Sequence, residues 1–132
     1  MHSTTQIPRR KPLSELETKI MRLVWSQGPV TSEQVREGLA GEHPMKEATA
    51  RTVLRRLEEK GYLTHEVDGR TFVYRGVERP ENVAVHALRQ LLDRFCSGSI
   101  ERLLTGMVDQ EVISPEELKE LAKKISARQK KG

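Results

Sequence analysis

The chain has 132 residues, enough for one compact domain or for a small domain with an appendage. Hydrophobic residues make up 36%, charged residues 32% and aromatics only 4%, which suits small helical cores and argues against a large sandwich or barrel. The net charge is +4, but residues 1–82 carry 14 Lys/Arg against 12 Asp/Glu and residues 83–132 carry 9 against 7. Any nucleic-acid reading therefore rests on where individual cations point. A lone cysteine, Cys96, excludes an internal disulfide and fits a reducing compartment. No run of 18 apolar residues offers a membrane span, and the polar N-terminus lacks the apolar core of a secretion signal. A cytoplasmic location is expected.

Residues 1–12, with the run Arg9-Arg10-Lys11, read as a flexible basic arm, either disordered or touching phosphates. The first helix opens at Ser14, where Ser14 and Glu17 have capping-box spacing. Leu13, Leu16, Ile20, Leu23 and Val24 follow as its apolar stripe, and Gly28-Pro29 ends it. Thr31 and Gln34 repeat the box for a second helix that buries Val35 and Leu39. A third helix is predicted over Lys46–Lys60, stopping at Gly61, which tolerates a left-handed cap. Tyr62 to Arg75 reads as two strands around an Asp68-Gly69 type I′ turn. In that hairpin Leu63, His65 and Val67 share a mostly apolar face with Arg70, Phe72 and Tyr74. Three short helices and a hairpin are the order of a winged helix-turn-helix.

Residues 76–82, including Arg79-Pro80, read as a link. Three amphipathic helices are predicted beyond it. Ala84, Leu88, Leu91, Leu92 and Phe95 stripe the first; Ile100, Leu103, Leu104 and Met107 the second; Leu118, Leu121, Ala122 and Ile125 the third. Ser114-Pro115-Glu116-Glu117 opens the last with a cap, an N1 proline and a capping-box glutamate. The fold class is thus mainly α with a small β-hairpin. A winged helix-turn-helix domain is expected over residues 13–77, a helical dimerisation region over 78–127 and a frayed basic tail over 128–132.

Function is carried by the third helix. At 100° per residue, Ala50, Val53, Leu54 and Leu57 cluster on a core-facing stripe. The other side holds Ala48, Arg51, Thr52 and Arg55, with Thr49 and Arg56 on the flanks and Lys46 at the start. A recognition helix enters the major groove by its N-terminal half, where small, hydroxylated and cationic side chains reach base edges. Glu47 is the one awkward charge there. Arg70, beside the hairpin turn, is placed to reach a phosphate or the minor groove, and Thr31 to meet a phosphate at a helix start. The last 50 or so residues bury too little to stand alone. They are expected to pair with a second copy through Leu88, Leu91, Leu92, Phe95, Leu103 and Met107, matching a palindromic double-stranded DNA site. The same fold without DNA binding, as a protein-assembly module, is the alternative.

Other chemistry finds little footing. His2, His43, His65 and His86 are scattered and have no ligand spacing with Cys96, so no metal or cofactor is expected. His65, facing Phe72, reads as packed. The sequence lacks G-x-S-x-G, phosphate-loop and G-x-G-x-x-G motifs, and Glu58-Glu59 and Glu116-Glu117 do not oppose one another as an acid/base pair; no enzyme is expected.

Leu13-Ser14-Glu15-Leu16-Glu17 with Ile20-Met21 and Val24-Trp25 resembles the opening of the penicillinase-repressor (BlaI/MecI/CopY) family. Thr52-Val53-Leu54, Arg56-Leu57-Glu58-Glu59-Lys60-Gly61 and Gly69-Arg70 with Phe72 and Tyr74 carry the same resemblance, from about Pro12 to Ile125. It implies a bacterial dimeric repressor of dyad operators, with Thr49, Thr52 and Arg70 at the DNA and the C-terminal helices intertwined. Members controlled by a sensor protease are cleaved in the dimerisation region, some at an Asn-Phe bond. Gly106-Met107 stands there, so that rule does not carry over. The Cys-x-Cys pairs of copper-responsive members are missing.

Overall fold

The computed structural model describes residues 10–131. Ser14 opens α1 (Glu15–Gln27): its hydroxyl accepts the Glu17 N–H at 3.1 Å while the Glu17 carboxylate accepts the Ser14 N–H at 2.8 Å. Gly28 closes the helix at φ +86°, a conformation that side-chain-bearing residues avoid. Thr31 and Gln34 form the second reciprocal box, at 3.1 and 2.9 Å, ahead of α2 (Ser32–Gly38). Lys46 precedes α3 (Glu47–Glu59), and Gly61 follows it at φ +90°.

Strands β1 (Leu63–Asp68) and β2 (Thr71–Gly76) pair antiparallel, with His65 opposite Tyr74 and Val67 opposite Phe72. The two-residue turn is therefore Gly69-Arg70, one residue beyond the predicted Asp68-Gly69. Gly69 has φ +67° and Arg70 does not share the positive φ, the pattern of a type II′ turn with glycine first. Arg70 thus occupies the tip of the wing. The mostly apolar face of the wing is covered only at its base. Leu63 and Tyr74 are buried, whereas Val67 and Phe72 are 61% and 46% exposed.

The core joins Ile20, Met21 and Val24 of α1 to Val35 and Leu39, to Ala50, Val53, Leu54 and Leu57 of α3, and to Val30, Leu63 and Tyr74. Val30 and Tyr74 exchange backbone hydrogen bonds of 2.8 and 2.7 Å, which fasten the base of the wing to the segment between α1 and α2. Glu17 is the one buried charged residue among those described. Its carboxylate lies 2.7 Å from Lys60 Nζ, and Arg56 approaches to 4.0 Å. Burial raises the Glu17 carboxyl, but the Lys60 ammonium and the Ser14 N–H outweigh it and hold it below the usual value. This tie clamps the end of α3 onto the start of α1.

Residues 1–9 of the predicted arm lie outside the described residues. Its last residues are held by the fold. Arg10 pairs with Glu78 and lies over the Tyr62 ring, and the Tyr62 hydroxyl donates to the Lys11 carbonyl at 2.7 Å.

Helix α4 (Pro80–Phe95) begins inside the predicted link: Pro80 is its first residue, and the Arg79 carbonyl accepts the Val83 N–H. Proline suits that position because no N–H is needed there. Val83 packs against the winged core, and the chain divides into two compact units at Ala87/Leu88, later than residue 77. The second unit continues with α5 (Ile100–Asp109), capped by Ser99, and α6 (Pro115–Lys131), where Ser114 and Glu117 form a third reciprocal box. Residues 128–131 continue α6 as helix.

Candidate nucleic-acid interface

Helix α3 divides into two faces. Ala50, Val53, Leu54 and Leu57 are 0–4% exposed, while Ala48, Thr49, Arg51, Thr52 and Arg55 lie in solvent. The wing stands beside this outer face. Between them opens a cleft of about 440 Å³ lined by Arg51 and Arg55 from the helix, Arg70 and Phe72 from the wing, Tyr74 and Glu47. Three guanidiniums from two separated segments thus converge on one surface. Each can fork onto a phosphate or onto guanine O6 and N7. At the floor, burial and the Glu58 charge push the Tyr74 phenol up against the influence of Arg55, so it stays a neutral hydroxyl at ordinary pH. His65 braces the wing: its ring stacks on Phe72 at 4.2 Å, and its Nδ1 lies 2.7 Å from Glu58 in the last turn of α3.

Residues 13–127 match the family model described as Penicillinase repressor. The chain belongs to the penicillinase-repressor family. It is similar to the penicillinase repressor of Bacillus licheniformis, 27% identical over 110 residues that cover 83% of this chain and 85% of the relative. The methicillin resistance regulatory protein MecI of Staphylococcus aureus is 21% identical over 109 residues, 83% of this chain and 89% of that one. Among solved structures, the DNA-binding domain of the repressor BlaI is 28% identical, covers 60% of this chain and 93% of its own, and superposes with a TM-score of 0.49.

Within this penicillinase-repressor chain the candidate residues are not equivalent. Lys46, Ala48, Thr49, Arg51, Arg55 and Arg70 are exposed on or beside the cleft face. Thr52 is exposed too, but its hydroxyl donates to the Ala48 carbonyl at 2.9 Å. It therefore offers a partner its methyl and its lone pairs rather than its proton. The Thr31 hydroxyl accepts the Gln34 N–H and is engaged as a cap. Arg56 turns toward Glu17 on α1, away from the arginine cluster. Ser32, Glu47, Phe72 and Tyr74 also line this cleft, a juxtaposition across elements that the fold alone creates.

In the second unit Leu88, Leu91 and Phe95 are exposed and Leu103 and Met107 half-buried. Leu92, on the same stripe, is 2% exposed within the single chain. Helix α5 has an apolar stripe but no buried residue, and Leu121 and Ile125 of α6 are 46% and 52% exposed. Gly106 and Met107 lie inside α5. Among the described residues no three His, Cys, Asp or Glu side chains converge as metal ligands, and no helix is long and apolar enough to cross a membrane.

Proposed function

We propose that this chain is a DNA-binding transcriptional repressor that acts as a homodimer on dyad-symmetric operators. Helix α3 enters the major groove, and the β1–β2 wing lies on the adjoining backbone or minor groove. The observation that carries the reading is the convergence of Arg51, Arg55 and Arg70 on an exposed face whose reverse side is the core. A rigid helix with its apolar side held can present base-reading groups at fixed angles. A cation at the wing tip, meanwhile, anchors the protein on phosphates without reading sequence.

Dimerisation is supported by apolar surface. Phe95, Ile100, Val112 and Ile125 are each at least half exposed in a single chain, and a second copy can cover such stripes. Two copies related by a two-fold axis read two half-sites one helical turn apart, or a multiple of it.

The test is a titration of duplexes recovered from genomic fragments that co-purify with the protein. Replacing Arg51, Arg55 and Arg70 by alanine should weaken binding and flatten its dependence on salt, by about 0.9 in the slope of log K for each phosphate no longer neutralised. A triple variant that matches the parent across salt concentrations would remove this face as the reader. The protein-assembly alternative would then stand.

A further inference from the structure

Glu47 is a carboxylate in a surface built for a polyanion. It is the first residue of α3 and lines the cleft with the three arginines. Its position near the positive end of the helix is favourable in itself, but three side chains hold it as well. The Ser32 hydroxyl at the start of α2 donates to Oε2, the Arg51 Nε donates to the same oxygen at 3.4 Å, and the Arg36 Nε stands 3.4 Å from Oε1. The Ser32 hydrogen bond and the two guanidiniums hold the carboxyl below its usual value despite partial burial. Glu47 is thus ionised wherever the protein would meet DNA.

The consequence falls on the cations. An arginine whose Nε is held by a carboxylate keeps its terminal nitrogens but loses freedom to sweep toward whichever phosphate is nearest. Arg36, on α2, is drawn inward by the same group. Meanwhile the negative charge itself repels a phosphate in the cleft. Arg55 and Arg70 have no ion-pair partner among the described residues and are left to contact the backbone.

We propose that Glu47 is a positioning residue that confers specificity on this surface. It withholds Arg51 and Arg36 from indiscriminate phosphate binding and presents the Arg51 terminal nitrogens in one orientation toward a base edge. The inference deepens the DNA-binding reading and rests on it. Specificity is a difference between affinities, and a charge that penalises the wrong complex widens that difference.

The experiment compares the parent with Glu47→Gln on two duplexes of about two helical turns, one selected by the parent from a random library and one of mixed sequence. Each is followed by fluorescence anisotropy across a salt series. Glutamine keeps the shape and an acceptor for Ser32 but not the charge. Binding of E47Q to the mixed duplex should tighten roughly two- to tenfold, the worth of one or two added exposed ion pairs. The slope of log K against log salt should steepen by about 0.9 to 1.8, one or two added phosphate contacts. The ratio of selected to mixed affinity should fall. In an Arg51→Ala background the same change should steepen the slope less, because the released cation is gone.

If Glu47 served only to tie α2 to α3, E47Q would lower the melting temperature and weaken both duplexes in proportion, with no steeper slope. That outcome overturns the proposal. Ser32→Ala, which removes one hold on the carboxylate and leaves the charge, guards against a misfolded E47Q: it should relax selectivity in the same direction by a smaller factor. A parent that bound neither duplex would instead refute the DNA reading, which separates the two failures.

Discussion

Replacing Glu17 by glutamine tests the clamp that sets α3 on the rest of the fold. The side chain is 1% exposed and accepts hydrogen bonds from Ser14 N and from Lys60 Nζ, the latter at 2.7 Å. Glutamine retains a carbonyl for Ser14, so the capping box survives, but the charge that holds Lys60 and faces Arg56 is lost. Removing one member of a fully buried pair costs about 3–5 kcal/mol. Lys60, 17% exposed, can turn toward water, so the loss falls nearer that of one charged hydrogen bond, about 2 kcal/mol. For a unit of this size each kcal/mol moves Tm by about 4–8 °C, giving a fall of about 8–16 °C for E17Q at pH 7. Because folding holds the Glu17 carboxyl below its ordinary value of 4.5, its contribution is complete above that pH and is lost as pH falls through the folded value. Circular-dichroism melts of parent and E17Q at pH 7, 5 and 3, at one protein concentration, should show a full gap at the first two and a narrowed one at the third. A gap of the same size at all three pH values, or no gap at pH 7, would refute the reasoning.

Three further outcomes are expected. Leu54→Ala, at a fully buried position of α3, should cost about 2–5 kcal/mol, read as a lower urea midpoint with an unchanged m-value. Gly69→Val forces a β-branched residue to φ +67° and should lower both Tm and duplex affinity by displacing Arg70, whereas the unbranched Gly69→Asn should lower each by less. Leu121→Glu with Ile125→Glu should convert a sedimenting dimer to monomers at micromolar concentration; a parent that already sediments as a monomer would sink the pairing argument.

The parts of this fold that could be read from sequence are those decided within one turn or one strand. All three S/T-x-x-E/Q boxes form, and the two faces of α3 follow from helical spacing alone, since the side that packs is fixed by period 3.6. The rest shares a cause. Asp68-Gly69 and Gly69-Arg70 are both acceptable two-residue turns locally, and the backbone pairing of Tyr74 with Val30, distant in sequence, accompanies the second. Arg79-Pro80 reads locally as part of a link, yet a bare Arg79 carbonyl suffices to start α4. Leu92 lies on the same stripe as Leu88 and Leu91, and periodicity cannot tell which member of a stripe the chain covers itself. Glu47 looked awkward because its partners Ser32 and Arg36 sit on another helix.

The same long-range pairing explains why bulk charge was a poor guide to the interface. Arg10 is engaged with Glu78, Arg36 with Glu47 and Arg56 with Glu17, so several of the arginines one would count toward DNA are committed within the protein. Arg55 and Arg70 remain unpaired at the cleft among the described residues while Glu47 holds Arg51, and two phosphate contacts give a salt slope of only about −1.8 for one copy. A surface that modest binds usefully when a second copy is tethered to it, because the second contact then forms at high effective concentration. In the proposed homodimer the bare apolar stripes of α5 and α6 and the sparse cationic reader would be two sides of one design: each reading unit would be free to be selective because it would not hold the DNA alone.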